Sequence, residues 1–466
     1  MMELLLTPDN IKTRYDDNKQ YLNEVAGNGY YQRLRDKAMD SFLRLGFPHK
    51  KLESWKYTDL SPKLAIPYTY NLVPSDEHVD IRKIFQCEIH NFETYLFTQL
   101  NGWYVWEKSP LSTLPGGAYV GSMQAARLQF PELFEKHYGK YANIETGALE
   151  ALNTAFAMDG IFVYVPDGVE VKKPIQMVNI VNEEEDLFLQ PRNLVIIGKN
   201  AKLTLVHCDD SILHKNNFTN AVTEVVVGEN AEIDHYKLQN KDDDCTLINN
   251  NYFHLSDYSR LTSNTLTFNG GLIRNETRVT IDGSKAEANI YGLYLMDRNQ
   301  HVDNRVFVDH AKPDSYSNEL FKGIIDENAS AAFNGHILVR RDAQKTLAYQ
   351  SNRNITLTDT ARIDTNPFLE IYADDVKCSH GATVGQLDTD ALFYLRTRGI
   401  CERNARMLLM YAFAAEIAMK MTLPELRERT EDMIERRLKG ELSICDQCVL
   451  HCRDEVIDFK IDMSKV

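Results

Sequence analysis

Val226-Val-Gly-Glu-Asn-Ala-Glu-Ile233 decides the fold, because the chain repeats nearly the same phrase elsewhere. Ile196-Ile-Gly-Lys-Asn-Ala-Lys-Leu203 has the same order: an apolar strand end, a polar turn, one small residue, a new strand. The series opens at Val165-Pro-Asp-Gly-Val-Glu-Val171 and continues at His254-Leu-Ser-Asp-Tyr-Ser-Arg-Leu261 and Ile281-Asp-Gly-Ser-Lys-Ala-Glu-Ala288. Its last members are Ile324-Ile-Asp-Glu-Asn-Ala-Ser-Ala331 and Leu357-Thr-Asp-Thr-Ala-Arg-Ile363. The small residue recurs at 201, 231, 259, 286, 329 and 361, with most steps near thirty residues and one longer step that reads as an insertion. A period in this range marks stacked repeats. Each unit is rich in β-branched residues and holds no helical pattern, which argues against a βαβ array. Thirty residues at roughly 3.3 Å each give a contour of about 100 Å, enough for a flattened coil of two long strands and two turns. About seven coils, stacked roughly 4.8 Å apart, build a rod about 35 Å long. The reading is a right-handed parallel β-helix over residues 158–386.

The flanks read differently. Residues 1–157 form an N-terminal helical and mixed α/β region. Tyr31, Leu34, Ala38, Phe42 and Leu45 make an apolar stripe at helical spacing, ended by Gly46 and Pro48. Short strands follow at Tyr95–Leu100 and Trp103–Trp106, then a Pro115-Gly-Gly turn and a helical segment from Ala125 to Phe156. Residues 387–466 form a C-terminal helical domain with a Cys-rich tail. Asp388 is placed to cap a helix that Gly399 ends, a second helix runs from Cys401 to Met421, and Thr422-Leu-Pro-Glu425 reads as a capping box opening a third, which stops at Gly440. The rod's ends would expose unpaired strand edges, so the flanking helices or a second β-helix should cover them.

Composition bounds the rest. The 466 residues are 43% apolar and 26% charged, with a net charge of −15, against the footprint of a nucleic-acid binder. Met1-Met-Glu-Leu-Leu-Leu-Thr7 lacks a basic n-region, and no stretch approaches the roughly 20 apolar residues of a membrane span. Eight cysteines scattered over this length are not a disulfide framework and suit a reducing cytoplasm.

Chemistry concentrates in Phe368-Leu-Glu-Ile-Tyr-Ala-Asp-Asp-Val-Lys-Cys-Ser-His-Gly-Ala-Thr383. If residues 368–380 run extended, Leu369, Ile371 and Ala373 share one face, and Glu370, Asp374, Cys378 and His380 share the other. A thiol and an imidazole two residues apart make half of a metal site, so missing ligands must come from elsewhere in the chain or from another subunit. Glu370 and Asp374 read as solvated or interfacial. Cys378 is either a small core residue or a ligand. Cys445, Cys448 and Cys452, with His451 beside them, either hold zinc or an iron–sulfur cluster or form an inert reduced tail.

The run Asp374–Gly385, followed by Leu392-Phe-Tyr-Leu-Arg-Thr-Arg-Gly-Ile400, strongly resembles the SufB/SufD family of SUF iron–sulfur cluster assembly proteins. Glu53-Ser-Trp-Lys-Tyr-Thr58 resembles the signature of the SufD-type members. The resemblance implies the same β-helix core. It implies a scaffold subunit, not an enzyme, that meets SufB through the β-helix and SufC, an ABC-type ATPase, through the C-terminal helices. It further implies that His380, with Cys378 beside it, handles a transient cluster shared with the partner, and that a homodimer forms when the chain is isolated. The helical face of Tyr394, Arg396, Arg398 and Gly399 is either ordinary packing or part of the ATPase dock. No G-x4-G-K-[ST] loop is present, so ATP enters through the partner. The rival readings are a carbohydrate-active β-helix enzyme using Asp374 and Asp375, and a purely structural scaffold. Adjacent strand residues point to opposite faces, which weakens the first.

Overall fold

The computed structural model describes residues 4–26, 29–70, 72–74, 93–106, 108–182, 184–211 and 215–440. Its centre is a parallel β-solenoid of about eight turns, each laying one strand in each of two facing sheets. Stacking is in register: Val226 pairs with Ile196 on the turn before it and with His254 on the turn after.

The repeated phrase is the corner of each turn. Asn200, Asn230, Tyr258 and Lys285 adopt left-handed backbone, with φ of 54°, 55°, 58° and 57°. Asparagine tolerates that region better than most residues. Corners then bond to one another, Asn200 N–H donating to Glu229 O and Asn230 N–H to Asp257 O, both at 2.9 Å. The following Ala201, Ala231, Ser259 and Ala286 are buried where the corner closes on the core.

The longer step from 286 to 329 is not an insertion. Glu287 pairs directly with Tyr316, one turn on, and the same corner continues at Asp314-Ser315 and Lys345-Thr346. Ala329 and Ala361 belong to the other edge of the coil, between Tyr316–Ile325 and Ser330–Val339 and between Leu347–Thr356 and Arg362–Ile371. Both edges use the same turn chemistry, so a single list of small residues mixed two series.

The two ends of the solenoid differ. At its start the strands taper: Trp103–Val105 folds back antiparallel on Tyr95–Leu100, and Leu111–Thr113 on Tyr119–Ser122. Helices α1 (Pro8–Ala26), α2 (Gly29–Leu45) and α3 (Ser61–Leu64) precede these strands. The stripe on α2 buries Tyr31, Ala38 and Phe42, and Arg35 donates to the carbonyls of Ala155 and Ala157 at 2.8 and 2.6 Å. The segment from Ala125 to Phe156 is three helices, α4 (Met123–Gln129), α5 (Pro131–His137) and α6 (Ala148–Phe156). Pro131 opens the second, and Gly139 turns at φ 71°. The loop after it is held by the buried Glu224 carboxylate, which accepts the N–H groups of Gly139, Tyr141 and Ala142 at 2.8, 2.9 and 3.1 Å.

At the other end follow α7 (Thr389–Thr397), α8 (Glu402–Ala418) and α9 (Pro424–Lys439). Asp388 caps α7 as expected, accepting from the N–H groups of Asp390 and Ala391. Gly440, at φ 80°, closes α9. Thr422 does not form a capping box. Its hydroxyl donates to Asp234 Oδ2 at 2.7 Å, because tertiary contact with the solenoid competes for it. Helices α8 and α9 lay Ala414, Ala415, Ile417, Met433 and Ile434 over Val206, Tyr236, Leu238 and Phe268 on the outer face of the ten-stranded sheet.

The interior is apolar near the corners and polar along its middle. Lys237 pairs with Asp209 at 2.6 Å and lies 2.9 Å from His207, all three buried. Further along, Glu319 is buried, and among the described residues Gln350 Nε2 alone donates to it, at 2.7 Å. Burial pushes the Glu319 carboxyl up from 4.5 to about 8, against the smaller pull of that hydrogen bond. Between those values the folded chain holds a proton that the unfolded chain has released, so this group's contribution to stability falls as pH rises. Glu319→Gln keeps the shape and removes the titration. Thermal melts from pH 5 to 8 should show the variant gaining on the wild type as pH rises; parallel curves would sink the assignment.

Candidate functional site at the open end of the solenoid

The solenoid ends on two full-length strands, Arg362–Ile371 in one sheet and Lys377–Gly385 in the other. Residues 368–380 are therefore not one strand. The chain turns a corner at 372–376, with Ala373 buried against the core and Lys345 N–H donating to Asp375 O at 2.6 Å. That corner separates the candidate ligands. Glu370 points outward from the eleven-stranded sheet, where His336 Nε2 lies 3.1 Å from its carboxylate. A hydrogen bond from Tyr372, then the His336 contact, lowers the Glu370 carboxyl. Asp374 is exposed in the corner.

Cys378 and His380 remain together on the inward-facing side of the last strand. Cys378 pairs with Ala348 and His380 with Gln350, both of which face the interior. Cys378 is half-buried and packs on the core beside Leu369 and Val376, and burial raises its thiol. His380 is exposed. Among the described residues no group of three or more His, Cys, Asp or Glu side chains is placed to hold a metal ion. The expected donors Cys445, Cys448, His451 and Cys452 lie outside the described residues.

Among the described residues this end is unpaired as well as apolar. Phe368 is 55% exposed, Tyr372 59% and Val384 50%. Phe368 also terminates an aromatic file on the outer face: His336 lies edge-on between Phe307 and Phe368, with both ring centroids 4.9 Å away. The Glu53–Thr58 stretch latches the N-terminal region near this end. Trp55 stacks on buried Arg274, 3.8 Å from ring centre to guanidinium, and Thr58 donates to Asp303 at 2.8 Å. Tyr57 accepts from Asn366, on the terminal strand, at 3.1 Å.

The helical face is a second candidate. None of α7 is buried, and Phe393 and Tyr394 stand 70% and 56% exposed, with Arg398 over the Tyr394 ring. Beside it a cleft of about 540 Å³ opens between α8, α9 and the solenoid corners, with Met407 and Met410 among its walls and Arg403 and Arg406 beside them.

Residues 179–413 match the family described as SUF system FeS cluster assembly, SufBD core domain, and residues 9–177 match the SufBD protein N-terminal region. An iron–sulfur cluster assembly SufBD family protein of Synechocystis sp. is 32% identical over 440 residues, spanning 91% of this chain and 96% of its own. The iron–sulfur cluster assembly protein SufD of Escherichia coli is 28% identical over 405 residues, or 86% and 92% of the two chains. The protein of that name from Bacillus subtilis is 28% identical over 447 residues, or 92% and 99%.

Thiol reactivity tests the burial order, since the thiolate is the attacking form. Among the four described cysteines, exposed Cys401 should alkylate first, half-buried Cys378 more slowly, and buried Cys208 and Cys245 only in denaturant. Peptide mapping after timed labelling reads the order; Cys378 reacting as fast as Cys401 would contradict its packing on the core.

Proposed function

The chain belongs to the SufBD family, whose business is SUF iron–sulfur cluster assembly, and from that premise we propose that it is a SufD-type scaffold subunit. It acts in the cytoplasm beside a SufB-like β-solenoid and a SufC-like ATPase, and is not itself an enzyme. The observation that carries the reading is the unpaired, apolar solenoid end with His380 on its last strand. A second solenoid of the same cross-section satisfies those strand edges and covers Phe368, Tyr372 and Val384 in one step. The cluster is cargo. His380 supplies one neutral imidazole to iron, and the partner supplies the rest, since two donors on one strand cannot close a site. Cys378 is a second donor only if it leaves the core.

His380→Ala removes an exposed side chain, so its stability cost should stay within about 0.5 kcal/mol. Assembly with both partners should survive in gel filtration, while iron and acid-labile sulfide per complex, prepared anaerobically, should fall sharply. A full cluster in the assembled variant would leave the chain a purely structural scaffold.

The ATPase dock is assigned to α7 and the cleft beside it, because Phe393 and Tyr394 are exposed aromatics of the kind that anchor interfaces. Deleting the whole tail is a poor test, since α8 and α9 cover an apolar sheet face. Phe393→Asp with Tyr394→Asp is better: SufC binding should weaken at least tenfold and SufB binding stay unchanged. Undiminished ATPase binding by the double variant would move the dock elsewhere.

A further inference from the structure

His380 is the last member of a file. In parallel register Glu319 pairs with Gln350 and Gln350 with His380, so three inward-facing side chains follow one another at one turn each. Glu319 and Gln350 are buried, and Gln350 Nε2 donates to Glu319 Oε2 at 2.7 Å. Gln350 Oε1, though buried, has no hydrogen-bond partner among the described residues. A buried acceptor left unpaired is costly, so an unpaired one beside a functional side chain calls for an explanation. A planar amide that turns its nitrogen back along the file turns its oxygen away from Glu319, and the next side chain in that direction is His380. The opposite wall makes room, for residue 335 is glycine, and a Cβ there would collide with the Gln350 amide.

We propose that Gln350 is a positioning residue for His380: its Oε1 accepts one imidazole N–H, which leaves the other ring nitrogen unprotonated and turned to the cargo. Histidines that bind metals commonly donate their second N–H to a carbonyl or carboxylate, which sets tautomer and ring orientation. Glu319 anchors the amide from behind, with no cation beside it among the described residues. The inference rests on the reading that His380 handles iron, and it adds two residues that no motif marks.

The test uses the full chain, labelled with ¹⁵N-histidine, alone and assembled with SufB-like and SufC-like partners. Ring nitrogen shifts of His380, assigned by their loss in His380→Ala, report the tautomer. Iron and acid-labile sulfide after reconstitution with ferrous iron and sulfide report loading. Gln350→Leu should shift the His380 tautomer and lower iron retention roughly tenfold. Gln350→Glu, which keeps an acceptor oxygen, should restore both. Unchanged nitrogen shifts and full loading in Gln350→Leu would overturn the proposal, as would Gln350→Glu failing as badly as Gln350→Leu. If Gln350→Leu does not assemble, Gln350→Met replaces it, and the shifts of the isolated chain decide. A depleted His380→Ala beside a fully loaded Gln350→Leu rejects this inference alone. A fully loaded His380→Ala rejects the functional reading and this inference with it.

Discussion

A parallel solenoid satisfies the backbone of each turn from the turns on either side. Parallel pairing runs along both faces, from Ile161–Val165 and Ile175–Val181 to the final strands, with a register shift at Gln239–Asn240. Such a stack has no natural place to stop. Wherever it ends, one full edge of N–H and C=O groups is left without partners, and the protein must manage that edge. Its first end is managed internally by three-residue strands, antiparallel returns and helices. Its last end stops on strands of ten and nine residues. The asymmetry is plain: one end tapers, and the other stops on full-length strands whose outer edges have no partner strand among the described residues.

The same geometry explains why chemistry appears inside. Every inward position repeats once per turn, so a polar residue at one offset meets its counterparts above and below. Lys237 pairs with Asp209 on the preceding turn, as Gln350 does with Glu319. Such side chains are affordable in a core only as linked groups. Glycines at 292, 323 and 335 hollow the interior so that Phe321, Tyr294 and Gln350 fit.

How much of this was legible in the sequence follows from distance along the chain. The corners were readable because a left-handed residue followed by a buried small one is local chemistry. The break at 372–376 was not: Tyr372-Ala-Asp-Asp-Val376 has no glycine or proline, and only pairing with the previous turn turns it. For that reason Glu370 looked like a neighbour of His380 and is not. Thr422 read as a cap because its local pattern is right, but Asp234, far away in sequence, takes the hydroxyl. Glu319 and Gln350 carry no motif at all. What could have found them is the period itself, applied backwards from His380 one turn at a time.

The strand Tyr316–Ile325 joins the two candidate surfaces. Its inward face carries Glu319, at the back of the His380 file. Its outward face carries Leu320 and Ile324 beneath the C-terminal helices, and Lys322, which donates to Phe413 O on α8 at 2.9 Å and pairs with Glu416. Alternation of side chains across one strand therefore places an α8 anchor three residues from the Glu319 carboxyl. A shared rigid element is a necessary part of any coupling between sites, though not a sufficient one, because coupling needs two arrangements of that element. Here the strand is locked in register on both sides, by Glu287–Met296 and Leu347–Thr356. A force applied at α8 is thus shared among several turns and does not shift one strand alone. Helix α7, none of whose residues is fully buried, follows the last strand in the chain and is tied to α8 by Arg396, which pairs with Glu402 at 3.2 Å.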